Sequence, residues 1–215
     1  MDRTAAVSAW AMSGLFDLFF AFSIEGLSFN KQKVFYNAMG LEKILKAYFI
    51  SIRSSEYKNL NLNDSKVKIE SIAKSYGHQY KRMIKDIKKD KGLKANIIAI
   101  MKKPYITFNN TSYSGSNFLK ALEKIYQESR YPSAAPVSRS FVVNKFFEID
   151  PINSSALTDL IYDLSILILN HLKNHINFLP RIKKIEDYHS EFDAWIRFKR
   201  VFFKQTNGDI IQFFT

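Results

Sequence analysis

Cysteine is absent from this chain, which removes disulfide bonds, thiol nucleophiles and cysteine-ligated zinc at once. A reducing compartment such as the cytoplasm suits a protein of this kind. Glycine (7) and proline (5) are scarce among 215 residues, so disordered low-complexity chains and fibrous repeats are excluded. Glycine-rich phosphate loops, HExxH pairs, EF-hand spacing and nucleophile elbows are missing, and with them go several enzyme classes. Arginine is sparse beside lysine, so bidentate phosphate forks are few.

Hydrophobic residues make up 47% of the chain and aromatics 15%, enough for one sizeable core. The formal charge of +12 favours anionic partners: nucleic acid, acidic protein or anionic lipid. The opening "MDRTAAVSAWAMSGLFDLFFAFSIEG" has the look of a signal or anchor, but Asp17 interrupts it. A carboxylate at mid-bilayer costs about 2.5–3.5 kcal/mol, so a buried first helix is expected and no membrane partner. The Asn-x-Ser/Thr matches at Asn109, Asn110 and Asn153 carry no meaning without secretion.

Residues 4–27 read as a helix that is apolar nearly all round. A second runs from Ser28 to about Arg53, with Val34, Ala38, Leu41, Leu45, Tyr48 and Ile52 at three- and four-residue steps. Gly40 inside it suggests close helix contact. Residues 54–65 read as a loop ending in Asp64 or Ser65 as an N-cap, before a short helix to Ser75. After the break at Gly77, Tyr80, Met83, Ile84 and Ile87 form an apolar stripe opposite Lys81, Arg82, Lys85, Lys88 and Lys89.

A further helix over 93–102 closes at Pro104, and "PYITFNNTSYSGS" reads as a loop. Helices follow around Phe118–Tyr126 and from Ser154 to about Ile176, with the β-rich "FVVNKFFEI" between them as one possible extended segment. A last helix lies after Pro180. The expected fold is therefore all-α: an antiparallel helical bundle in one domain over 1–215, with 180–215 as a helical extension.

Two histidine positions are of interest, one a pair and one a single residue. His171 and His175 share a helix face at metal-chelating spacing, with His189 or a carboxylate to complete a set, yet they lie along an apolar stripe near a helix end, so no metal or other cofactor is expected. His78 stands at the start of the basic helix, where it could cap backbone amides or act on a bound polyanion.

Three stretches in order, "NAMGLEKILKAYFI" (37–50), "YGHQYKRMI" (76–84) and "ALEKIYQESRYP" (121–132), resemble the HEPN superfamily over roughly residues 10–175. The resemblance implies an all-α bundle that commonly forms homodimers and works in toxin–antitoxin, defence or RNA-processing systems, with RNA, a nucleotide or a nucleotidyltransferase-type protein as partner. Active HEPN proteins resemble metal-independent ribonucleases with an arginine followed, after a spacer of four to six residues, by a histidine. That pattern is missing here; the nearest approach, Arg181 to His189, has seven residues between. A binding protein without clear catalysis is thus the leading expectation, with Lys81, Arg82, Lys85, Lys88 and Tyr131 as its nucleic-acid-binding residues. A ribonuclease built on a non-adjacent pair, His78 with Arg130 or Arg181 with His189, is the alternative, and a structural dimeric module is the third.

Overall fold

The computed structural model of the chain describes residues 2–24, 30–108, 111–130, 151–175, 196–198 and 200–202. The apolar opening forms α1 (Arg3–Ser23), started by Asp2, whose carboxylate accepts from the Thr4 backbone N–H at 3.3 Å. The second apolar run forms α2 (Asn30–Ile52). The two lie antiparallel, as their paired positions show: Arg3 donates to Ser51 Oγ (2.9 Å), Gly14 meets Gly40, and the Phe20 and Tyr36 rings meet edge-on at 4.6 Å.

The glycines set the distance between them. A Cβ on Gly14 would stand 2.6 Å from the Gly40 carbonyl oxygen, and one on Gly40 would stand 2.8 Å from that of Gly14. Leu15 and Leu18 are fully buried at this crossing, each contributing roughly 1.5–3 kcal/mol by burial. Asp17, the residue that breaks the apolar run, is held by Lys43 of α2 at 2.6 Å. Burial raises the Asp17 carboxyl above its usual value, against the lowering effect of Lys43. Among the described residues α1 is the one helix long and apolar enough to cross a membrane by length and composition.

A 3-10 turn (Ser54–Glu56) leads to α3 (Leu62–Lys74). Its cap is Asn61, whose Oδ1 accepts from Asp64 N at 2.9 Å, and not Asp64 or Ser65. Ser65 is instead fully buried and donates to the Tyr57 carbonyl at 2.9 Å. The helix ends at Ser75 and the chain turns at Gly77, whose φ of 53° is a left-handed value that glycine adopts without strain. Then come α4 (Tyr80–Ile87) and α5 (Lys94–Lys102).

The stretch read as a loop after Pro104 is a two-stranded antiparallel hairpin, β1 (Pro104–Phe108) with β2 (Thr111–Ser114). Ile106 pairs with Tyr113 and Thr107 with Ser112. The hairpin is tied to the bundle because the Tyr105 hydroxyl (2.6 Å) and the Lys103 ammonium (2.7 Å) both donate to Asp163. Burial, followed by that carboxylate, pushes the Tyr105 hydroxyl pKa far above its ordinary value.

Helix α6 (Gly115–Arg130) follows, and α7 (Pro151–His171) lays Leu157, Leu160, Ile161, Leu164 and Ile168 into the core against α2. Asn37 of α2 donates to Thr158 of α7 at 3.1 Å within this packing. A 3-10 turn (Lys173–His175) ends that run. Residues 196–198 and 200–202 are helical, and Phe198 and Phe202 stack on each other beside Tyr162. The β-rich stretch 141–149 and most of the expected C-terminal helix lie outside the described residues. Among the described residues the result is a mostly helical antiparallel bundle carrying one small hairpin.

Candidate nucleic-acid interface and the polar cluster beneath it

Glu42 and Lys46 are four residues apart on α2 and therefore share a face. That face is turned inward, where both side chains are only 8% exposed, and Lys46 Nζ lies 2.5 Å from Glu42 Oε1. The second carboxylate oxygen takes His78: Nδ1 lies 2.7 Å from Glu42 Oε2. The imidazole is one-third exposed, so the cluster runs from the core to the surface. The N-cap position of α4 falls on Gln79; His78 stands one residue earlier, and its ring reaches across to α2.

Two further bonds fix the start of α4. Tyr80 is fully buried and its hydroxyl donates to the Ala38 carbonyl of α2 at 2.8 Å. The Lys81 backbone N–H donates to Glu123 of α6 at 2.7 Å, so a carboxylate meets the partial positive charge of a helix start. Three helices thus converge on residues 78–81.

From this anchor α4 extends with Met83, Ile84 and Ile87 buried and Lys81, Arg82 and Lys85 exposed; Lys88 is half-buried. The basic residues differ in their surroundings. Lys81 also pairs with Glu123 at 3.6 Å, and Arg82 lies 5.3 Å over the Tyr76 ring, which stacks at 3.9 Å on Phe49. Lys85 and Lys88 form no ion pair with a described residue. What this face can do chemically is neutralise phosphates, and what the cluster beneath can do is hold an imidazole in one orientation through its Nδ1.

Arg130 closes α6, and its side chain lies outside the described residues, as do Tyr131, Arg181 and His189. The structure therefore brings His78 together with Glu42 and Lys46, both of which the sequence reading passed over. Only the i, i+4 spacing of two opposite charges in "LEKILK" signalled them.

His171 and His175 part company at the end of α7. His171 Nε2 lies 3.4 Å from Asp90, while His175 sits in the following 3-10 turn, held below its ordinary pKa by burial and by the charges of Arg3 and His171. Among the described residues no group of three or more His, Cys, Asp or Glu side chains gathers to hold a metal.

No family model, no curated protein and no solved structure matches this chain, so the fold and these contacts are what bear on its function.

Proposed function

We propose that the chain is a HEPN-like helical binding protein that engages RNA phosphates through the exposed face of α4, without catalysis of its own. The observation that carries the proposal is the division of α4: every large apolar side chain of the helix is buried, while Lys81, Arg82 and Lys85 stand in solvent on a helix pinned at its start from two sides. A rigid basic face of this kind binds polyanions by counterion release. The likeness to HEPN bundles is supported by where two of the resembling stretches meet, since "LEKILK" and "GH" face each other through Glu42, Lys46 and His78. In such a setting the protein is cytoplasmic and dimeric, with a nucleotidyltransferase-type protein as its expected partner.

The test is fluorescence anisotropy of labelled RNA with purified protein across 50 to 200 mM salt, about the range over which phosphate contacts weaken sharply. Wild type should show a steep negative slope of log affinity against log salt, and charge reversal at Lys81 and Lys85 should abolish most of the binding. Unchanged binding in that variant means the face is solvation only. The same RNA should stay intact on incubation. Robust cleavage that His78→Ala and Arg130→Ala abolish without lowering the melting temperature would replace this proposal with a ribonuclease.

A further inference from the structure

We infer that the basic surface runs beyond α4, through residues 88–94 to Lys102, and that it grips the phosphate backbone of a double-stranded nucleic acid. This rests on the RNA-binding function proposed above and gives that function a substrate class. Between residues 81 and 103 the chain places nine lysines and arginines against two aspartates, a net of +7 out of +12 for the whole protein.

Both aspartates are engaged by the protein itself. Asp86 takes Lys89 at 2.6 Å, and its carboxyl is held below the usual range by that bond, with the Tyr76 hydroxyl adding to it. Asp90 accepts from the Tyr48 hydroxyl at 2.9 Å and from the Gly92 N–H at 2.8 Å, with His171 beside it. Lys91, Lys94 and Lys102 are left exposed like Lys85, and these four and Lys88 form no ion pair with a described residue. The fold thus separates charge, with both carboxylates of the segment bonded locally and four of its lysines exposed without an ion pair to a described residue.

The kind of polyanion follows from what accompanies the lysines. Single strands are held by bases stacking on exposed rings. The described rings on or next to this segment are engaged: Tyr80 is fully buried, Tyr76 lies between Phe49 and Arg82, and Tyr105 is bound to Asp163. Protein interfaces need an apolar or aromatic centre and are depleted in lysine. Among the described residues the exposed large apolar side chains, Phe20, Ile52, Leu60, Leu62, Val67 and Val201, all lie outside residues 81–103. A membrane-surface helix would insert its apolar side, which α4 keeps in the core. Lysine point charges on rigid backbone suit a duplex, whose phosphates keep fixed positions and whose shape is read without base contacts. Lys81, Lys85 and Lys88 recur at four- and three-residue steps over about 10 Å of helix, a length in which one strand presents roughly three phosphates.

The experiment titrates the full chain into a labelled 20-base-pair RNA duplex, into the matching single strand, and into phosphatidylserine vesicles, at several salt concentrations. The duplex should bind at least about tenfold tighter than the single strand, with a log–log salt slope of roughly −4 to −5 from the five unpaired lysines. Replacing Lys85, Lys88, Lys91 and Lys94 by glutamine should flatten that slope by about 3 to 4 and weaken binding at least tenfold. Lys58→Gln with Lys66→Gln, exposed lysines elsewhere, should change little. Equal or tighter binding of the single strand overturns the inference while leaving the RNA-binding proposal standing. Full retention of affinity in Lys91→Gln with Lys94→Gln overturns the extended footprint. Binding to vesicles with no binding to either nucleic acid, or no binding at all, overturns both.

Discussion

Replacing Glu42 by glutamine should destabilise this protein more than removing the imidazole of His78 that it holds. The substitution keeps the shape of the side chain and deletes its charge, leaving the Lys46 ammonium, 8% exposed, without the carboxylate now 2.5 Å away. Breaking a buried ion pair from one side costs about 3–5 kcal/mol, because the remaining charge is stranded in a medium that solvates it poorly. For a chain of this length that is a fall in melting temperature of roughly 6–20 °C. His78→Ala removes a hydrogen bond to a charged group, but the ring is one-third exposed and water can take its place, so about 1–2 kcal/mol is expected. Adding Lys46→Met to Glu42→Gln should recover most of the loss, since an apolar stem of similar volume in place of the pair is close to neutral. Urea and thermal unfolding of wild type, the single variants and the double variant form a double-mutant cycle that reads the coupling directly. If Glu42→Gln costs no more than His78→Ala, or if the two changes at 42 and 46 simply add, the cluster is open to water and the burial argument is refuted.

Gly14→Ala should cost about 1–3 kcal/mol or more in thermal melts, because the added methyl meets the Gly40 carbonyl oxygen, which is backbone and cannot swing aside; a neutral outcome would mean the two helices separate freely. Glu56 is held down at about 2 by its Arg53 bond and then by Lys68, so its stabilisation is complete above pH 4.5 and fades as pH falls toward 2. Because the group lies at the surface, Glu56→Gln should flatten the acid limb of a stability–pH curve by no more than about 1 kcal/mol. Tyr57 runs the other way: burial pushes its hydroxyl up to about 12, so folding is favoured below pH 10 and that advantage is lost as pH rises through 12. Tyr57→Phe should lessen the alkaline loss of stability in pH-resolved melts by this group's share, and an unchanged profile would contradict it. Tyr105→Phe takes a charge-assisted bond from Asp163 and should cost about 1.5–3 kcal/mol in denaturant unfolding; no loss would show that Lys103 alone satisfies the carboxylate.

The helices were legible because burial leaves a period. Tyr80, Met83, Ile84 and Ile87 mark the inner face of α4 in the sequence and are buried in the fold, and the Leu157–Leu172 stripe does the same for α7. The hairpin was hidden because its strands hold four and five residues and mix rings with threonine and serine, so no apolar–polar alternation survives to be read. Two asparagines between the strands were the remaining signal, and they read equally as loop residues. The Asn61 cap was missed because Asp64 and Ser65 are equally good cap residues by type, and only the burial of Ser65 decides among them. The cluster under the candidate interface escaped for another reason. Glu42 and Lys46 look like a solvent-facing pair on an amphipathic helix, and their third member lies 36 residues away, a pairing that only tertiary structure makes.

The glycine contact between α1 and α2 answers a question of orientation. A helix apolar on nearly every side has no face that hydropathy alone would choose to bury, and any rotation about its axis would hide a similar amount of carbon. Turning α1 by one residue would bring Ser13 or Leu15 to the point where Gly14 now touches Gly40, and no side chain fits in the 2.6 Å available. The notch acts as a keyway: it admits one rotation and one sliding position and rejects the others by steric exclusion. With that side engaged, Phe19 and Phe22 are turned onto Phe198 and Phe20 is left half in solvent.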